Sequence, residues 1–107
     1  MTFEEYQTQA DSTAIYPEEA ALVYPLLGLV SEVGELAGKL KKLMRDGVDD
    51  TDEFMDALRN ELGDVLWYVA AVANDLGTDL ETIAQMNLDK LNDRAARNVL
   101  KGSGDNR

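Results

Sequence analysis

Residues 25–46 read PLLGLVSEVGELAGKLKKLMRD, with apolar positions recurring at helical spacing. Leu26, Leu29, Val30, Val33, Leu36, Ala37, Leu40, Leu43 and Met44 fall on one arc, the 3.6-residue period of a helix with one covered face. Residues 54–76 repeat the pattern with Phe54, Met55, Leu58, Leu62, Val65, Leu66, Val69, Ala73 and Leu76. Between the two arcs, Gly47 closes the first helix and Asp49-Asp50-Thr51-Asp52 forms an acidic connector able to cap the next.

Working outward, Thr2-Phe3-Glu4-Glu5 is a capping box that opens a helix to about Ala14. Tyr16-Pro17 breaks it, because proline disfavours helical geometry in the residue before it. Residues 18–24 read as a turn or short helix, and Pro25 suits the first turn of the second helix. The third helix covers about 52–76 and ends at Gly77. Thr78-Asp79-Leu80-Glu81 reads as another capping box, opening a fourth helix that runs to about Val99. No strand pattern is present. The expectation is an all-α, four-helix bundle with an antiparallel central hairpin, one domain over 1–100, and a disordered tail over 101–107.

The 107 residues carry 21 Asp and Glu against 10 Lys and Arg, a net charge of −11. That field repels phosphate backbones and anionic bilayers, so neither a nucleic-acid polymer nor a membrane is an expected partner. Met1 is not followed by a basic–apolar signal segment and no apolar run is long enough to span a bilayer, so a cytoplasmic location is expected. The absence of Cys and His removes disulfides, thiolate chemistry, the commonest general base and the usual zinc ligand. Carboxylate, hydroxyl, amide, Lys and Arg groups remain for chemistry, a set that points towards hard divalent cations if towards any catalysis. A chain of this size also buries a modest share of its surface, which favours oligomers.

Two matching pieces stand inside the long helices: Glu32-Val33-Gly34-Glu35-Leu36 and Glu61-Leu62-Gly63-Asp64-Val65. Each places acids at i and i+3, on one side of its helix. Gly28 and Lys39 share the first acidic strip, and Ala57 and Tyr68 the second. Glu35 to Arg45 is ten residues, and Thr51 to Glu61 is also ten. Each leg rises about 15 Å, so an antiparallel hairpin brings the two pairs level. One E-x-x-E in an acidic chain is an ordinary solvated face; two level pairs are not. Four facing carboxylates without a counter-ion cost several kcal/mol or take up protons. Magnesium, with manganese as substitute, relieves that repulsion. A di-iron bundle is disfavoured because its Glu-x-x-His pieces are missing.

These residues resemble the signature of the MazG-like all-α nucleoside triphosphate pyrophosphohydrolases, a superfamily that includes dimeric dUTPases and dCTP pyrophosphatases. Its pattern is E-x-x-E, a spacer, then E-x-x-D; here Glu32 and Glu35 are followed, after 25 intervening residues, by Glu61 and Asp64. Leu29, Gly34-Glu35-Leu36-Ala37 and Gly63-Asp64-Val65-Leu66-Trp67-Tyr68 are similar in context. So are Phe3-Glu4-Glu5-Tyr6-Gln7 and Lys90-Leu91-Asn92-Asp93-Arg94, and the likeness extends from residue 1 to about 97. One departure stands out. Many relatives carry a further Glu just before the first motif acid, the proposed base of dUTPase-like members, where this chain has Ser31.

The resemblance implies hydrolysis of a nucleoside triphosphate to the monophosphate and pyrophosphate by a homodimer or homotetramer. Glu32, Glu35, Glu61 and Asp64 would be catalytic residues and metal ligands, with Glu32 or Glu35 doubling as base. Lys39 follows Glu35 by one turn and reads either as a phosphate ligand or as a pair with Glu35. On the fourth helix Asn87, Lys90 and Arg94 form a polar stripe, with Lys90 and Arg94 matching a family Lys-x-x-x-Arg suited to pyrophosphate. Tyr68 is placed to stack on a base or ribose. Trp67, outside the acidic arc, reads as a core or interface residue. Gln7 and Tyr16 reach the nucleotide only if the N-terminal segment folds over the site. The alternative is a catalytically silent, metal-binding helical assembly or interaction module.

Overall fold

The Thr2 side chain accepts the Glu5 N–H at 3.1 Å while the Glu5 carboxylate accepts the Thr2 N–H at 3.0 Å. That reciprocal cap starts α1 (Phe3–Asp11), which ends short of the expected Ala14. The computed structural model describes Met1–Arg107 as α1, a 3-10 turn at Glu18–Ala20, α2 (Val23–Asp46), α3 (Thr51–Asp75) and α4 (Leu80–Ala96), with no strand.

The entry to α2 is unusual. Leu22 takes φ +68° and ψ −51°, the centre of a γ-turn closed by the Val23 N–H on the Ala21 carbonyl at 2.8 Å, a rare and strained conformation. Asp75, the last residue of α3, holds it there: its Oδ2 accepts the Leu22 N–H at 2.7 Å and the Tyr16 hydroxyl at 2.8 Å. The Tyr16 ring stacks on Tyr24 at 4.7 Å. Burial and the Asp75 hydrogen bond push the Tyr16 hydroxyl up to about 12. Gly47 at φ +72° ends α2, and Asp50 caps α3 by accepting the Glu53 N–H at 3.0 Å.

α3 ends in a Schellman turn, with Gly77 at φ +71° and the Thr78 N–H bonded to the Ala73 carbonyl. This commits Thr78 to closing α3. The cap of α4 is therefore Asp79, which accepts the Thr82 N–H at 2.7 Å, and not the expected Thr78. Asn98 at φ +58° makes a second such turn, with Val99 N–H on the Arg94 carbonyl. It stops α4 at Ala96 rather than near Val99.

α3 packs against each of the other three helices. Gln7 ties three of them together. Its Nε2 donates to Asn74 Oδ1 at 2.6 Å and to the Thr78 carbonyl at 3.1 Å, and its Oε1 accepts the Leu80 N–H at 2.7 Å. Gln7 is buried, with both ends of its amide engaged in these bonds. Gln7→Leu leaves the α4 amide and the Asn74 amide group short of partners. It is expected to lower unfolding free energy by about 2–3 kcal/mol, read by urea denaturation.

The helices leave much apolar surface uncovered. Ala70, Ala73 and Leu80 form the buried cluster, and only eight of 107 residues are buried. The radius of gyration is 17.0 Å, against about 13 Å for a compact chain of this length. The arcs read as core divide accordingly. Leu29, Leu36, Phe54, Leu58 and Val65 are half-buried, while Val30, Met44, Leu62 and Leu76 lie on open faces. No helix is long and apolar enough to cross a membrane.

Candidate active site

Contacts between α2 and α3 run in opposite order along the two helices: Gly28 meets Tyr68, Glu32 meets Glu61 and Asp64, and Lys39 meets Glu61. The i, i+3 spacing of Glu61 and Asp64 turns both towards α2, where Glu32 stands level with them. One carboxylate oxygen from each of the three lies within 4.8 Å of the others. Glu35, a turn beyond Glu32, is exposed and outside this tight group, but its charge acts on Glu32.

Two oxygens decide what the cluster suits. Glu32 Oε2 and Glu61 Oε2 are buried and have no hydrogen-bond partner. A carboxylate oxygen removed from water without a donor is costly. Burial pushes the Glu32 carboxyl above its ordinary value; the Glu61 carboxylate, which can share its proton, and the charges of Glu35, Asp64 and Glu61 push it the same way. The nearest cation, Lys39 Nζ, is 3.7 Å from Glu61 Oε1, longer than a tight charge-assisted hydrogen bond. An all-oxygen donor set with orphaned buried oxygens fits a hard divalent cation.

The pH dependence follows from Glu32. A carboxyl whose folded-state value is raised gives the native state the extra proton, so stability falls as pH rises from the unfolded value of 4.5 through the raised one. The Asp79 carboxylate is held low by its bond to the Thr82 backbone, so its stabilisation is already complete above 3.8 and does not oppose this trend. Without divalent metal, the melting temperature is expected to fall as pH rises above about 4.5, and Glu32→Gln is expected to flatten that fall. At neutral pH, a divalent cation that binds the cluster is expected to add about 2.7 kcal/mol at about 100 times its Kd, read by thermal denaturation.

Beside the cluster, Thr13, Glu32, Asp64, Trp67 and Tyr68 line a hollow of about 340 Å³. Trp67 Nε1 donates to Thr13 Oγ1 at 2.8 Å, and its ring meets Tyr68 edge-on at 4.9 Å. Trp67 therefore lines the hollow beside the carboxylates as well as packing on Tyr68. The Tyr68 ring lies over the bare backbone of Gly28, where a Cβ would collide with it. Burial, then the neighbouring Tyr24 and Glu32, push the Tyr68 hydroxyl up.

The α4 stripe is engaged elsewhere. Arg94 is buried and donates to the Asp105 carbonyl at 2.9 Å. Asp105 Oδ1 lies 3.5 Å from Arg94 and 3.6 Å from Lys90. Asn87 and Lys90 border a separate hollow with Ile83 and Met86. No hydrogen bond or ion pair joins these residues to the carboxylates.

The all-α chain thus brings one acid of its E-x-x-E and both acids of its E-x-x-D together between two packed helices. A family model for the MazG nucleotide pyrophosphohydrolase domain matches residues 24–98, and the chain belongs to that family. The match includes all four motif acids, and the family in general depends on divalent metal. The chain is also similar to the Gene 37 protein of Mycobacterium phage L5, 51% identical over 110 residues that cover 95% of this chain and 96% of the relative. No solved structure matches the chain.

Proposed function

We propose that the protein is a Mg²⁺-dependent hydrolase converting a (deoxy)nucleoside triphosphate and water to the monophosphate and pyrophosphate. The observation that carries this reading is the Glu32–Glu61–Asp64 cluster with its two orphaned oxygens, seated on the family's motif positions. Glu32, Glu61 and Asp64 would hold the cation, with Glu35 completing the set from the exposed side. Bound there, Mg²⁺ would polarise the phosphoryl oxygens and acidify the attacking water. Water oxygen bonds to the α-phosphorus, the α–β bridging bond breaks, and pyrophosphate leaves with the bond pair. The water proton passes to a carboxylate. Glu32 or Glu35, on the first motif, would take that proton; Ser31 cannot supply the extra base of dUTPase-like relatives.

The order of α2–α3 contacts supports an antiparallel hairpin, and the open apolar faces support a homodimer or homotetramer that completes the core. Light scattering at micromolar concentration is expected to report a dimer or larger; a stable monomer contradicts this. Such a nucleotide-processing role suits the cytoplasm. Lys39 and Tyr68 flank the cluster directly. Asn87, Lys90 and Arg94 would join the substrate only if Asp105 gives up Lys90 and Arg94.

The test is incubation with each NTP and dNTP plus Mg²⁺, following monophosphate and pyrophosphate. Paired release from at least one nucleotide is expected. No turnover across the panel, with Mg²⁺ binding intact, would favour the silent assembly.

A further inference from the structure

In a chain of net charge −11, residues 90–107 hold five of the 10 basic residues and two of the 21 acids. Positions 87, 90, 94 and 97 of α4 alternate spacings of three and four, so Asn87, Lys90, Arg94 and Arg97 share one strip. Asp93 is committed within the helix, where it pairs with Arg97 at 2.9 Å. The other acid, Asp105, comes from beyond the helix. Its carboxylate stands 3.6 Å from Lys90 Nζ and 3.5 Å from Arg94 Nη2.

The chain returns to this strip by successive backbone reversals. The turn at Asn98 folds it back, and Gly102 at φ +113° and Gly104 at φ +88° continue the bend. Both are conformations that a residue with a side chain rarely adopts. Arg107 staples the returning segment, its guanidinium donating to the carbonyls of Val99, Leu100 and Gly104. Arg94 receives it, with Nη2 donating to the Asp105 carbonyl at 2.9 Å. Residues 102–107 thus lie as a strap over the cations of α4.

The strap is held in a way that a stronger anion can displace. Arg94 is the one charged residue that is buried, yet its contacts with the strap use Nη2 alone. A guanidinium has five N–H donors in a planar fork, so Nε and Nη1 are left for another acceptor. The Asp105 side chain is 88% exposed and beyond tight ion-pair distance of both cations, where a pair contributes little. A polyphosphate brings more charge and paired oxygens to the same fork.

We propose that the strap is an autoinhibitory contact, in which Asp105 occupies Lys90 and Arg94 in place of a polyphosphate and yields when one binds. This rests on the hydrolase reading above. The closed strap raises the substrate concentration needed for turnover, and it does so without touching the carboxylate cluster.

The test is calorimetric binding of inorganic pyrophosphate with Mg²⁺ to the full chain, beside steady-state kinetics on the nucleotide it hydrolyses. Asp105→Asn keeps the shape and removes the competing charge. It is expected to tighten pyrophosphate about fivefold, the scale of an exposed ion pair, and to lower KM alike with kcat unchanged. Gly104→Val, which strains the strap at a positive φ, is expected to do the same. Arg94→Gln is expected to weaken pyrophosphate about tenfold and to cancel the gain from Asp105→Asn in the double variant. Lys90→Gln is the second variant should Arg94→Gln not fold. Affinity indifferent to both Asp105→Asn and Gly104→Val, or a gain that persists without Arg94, overturns the strap while hydrolysis stands. Pyrophosphate binding gated by Asp105, with no nucleotide turned over, keeps the strap and overturns the hydrolase reading. No pyrophosphate bound by the wild type or by Asp105→Asn overturns the strap, and absence of turnover as well overturns both.

Discussion

Asp64→Asn is expected to lower kcat by about a thousandfold while leaving helical content unchanged. Asp64 contributes one of three converging carboxylates and lies on the exposed side of the group. Replacing it keeps one oxygen and the side-chain shape but removes a negative charge. A bound cation supplies several kcal/mol of transition-state stabilisation, and about 4 kcal/mol corresponds to about a thousandfold in rate. Stability moves the other way. With fewer like charges facing Glu32 and Glu61, the metal-free variant is expected to melt no lower than the wild type, while its Mg²⁺-induced shift largely disappears. Thermal melts with and without Mg²⁺, beside steady-state kinetics, separate lost chemistry from lost folding.

The second large effect is at Gly28. Its α-carbon faces the Tyr68 ring so closely that any Cβ would overlap ring carbons. Rings in a packed seam yield poorly, and overpacking of this kind costs about 3 kcal/mol. Gly28→Val is therefore expected to lower stability by about that amount and to push Tyr68 out of its hollow. Tyr68→Ala should reopen the space. In the double variant the valine is expected to cost far less than alone, a coupling of about 1–3 kcal/mol. Urea denaturation of the two single variants and the double variant measures it.

Most of the seam was legible from spacing alone. The strips containing Gly28, Glu32 and Lys39 on one helix and Asp64, Glu61 and Tyr68 on the other do meet, and the equal legs to the connector place three of the acids together. Helix ends were less so. Thr78 and Asp79 are both good capping residues, and only the Schellman turn through Gly77 decides that Asp79 caps α4. Thr13, on the segment after α1, reaches the hollow beside the carboxylates through a long-range hydrogen bond from Trp67 that leaves no periodic trace. The apolar arcs misled in a different way. Helical period reports that a face wants covering, but not whether the cover comes from the same chain. Val30 and Met44 carry the same pattern as Leu29 and Leu43, yet lie open in one protomer.

Hydrolysis in ¹⁸O-labelled water with Mg²⁺, followed by mass spectrometry of both products, tests most directly whether the carboxylate cluster directs water to the α-phosphorus. One labelled oxygen in the nucleoside monophosphate, with unlabelled pyrophosphate, is the predicted result. Label in pyrophosphate, or release of inorganic phosphate with a nucleoside diphosphate, contradicts the account.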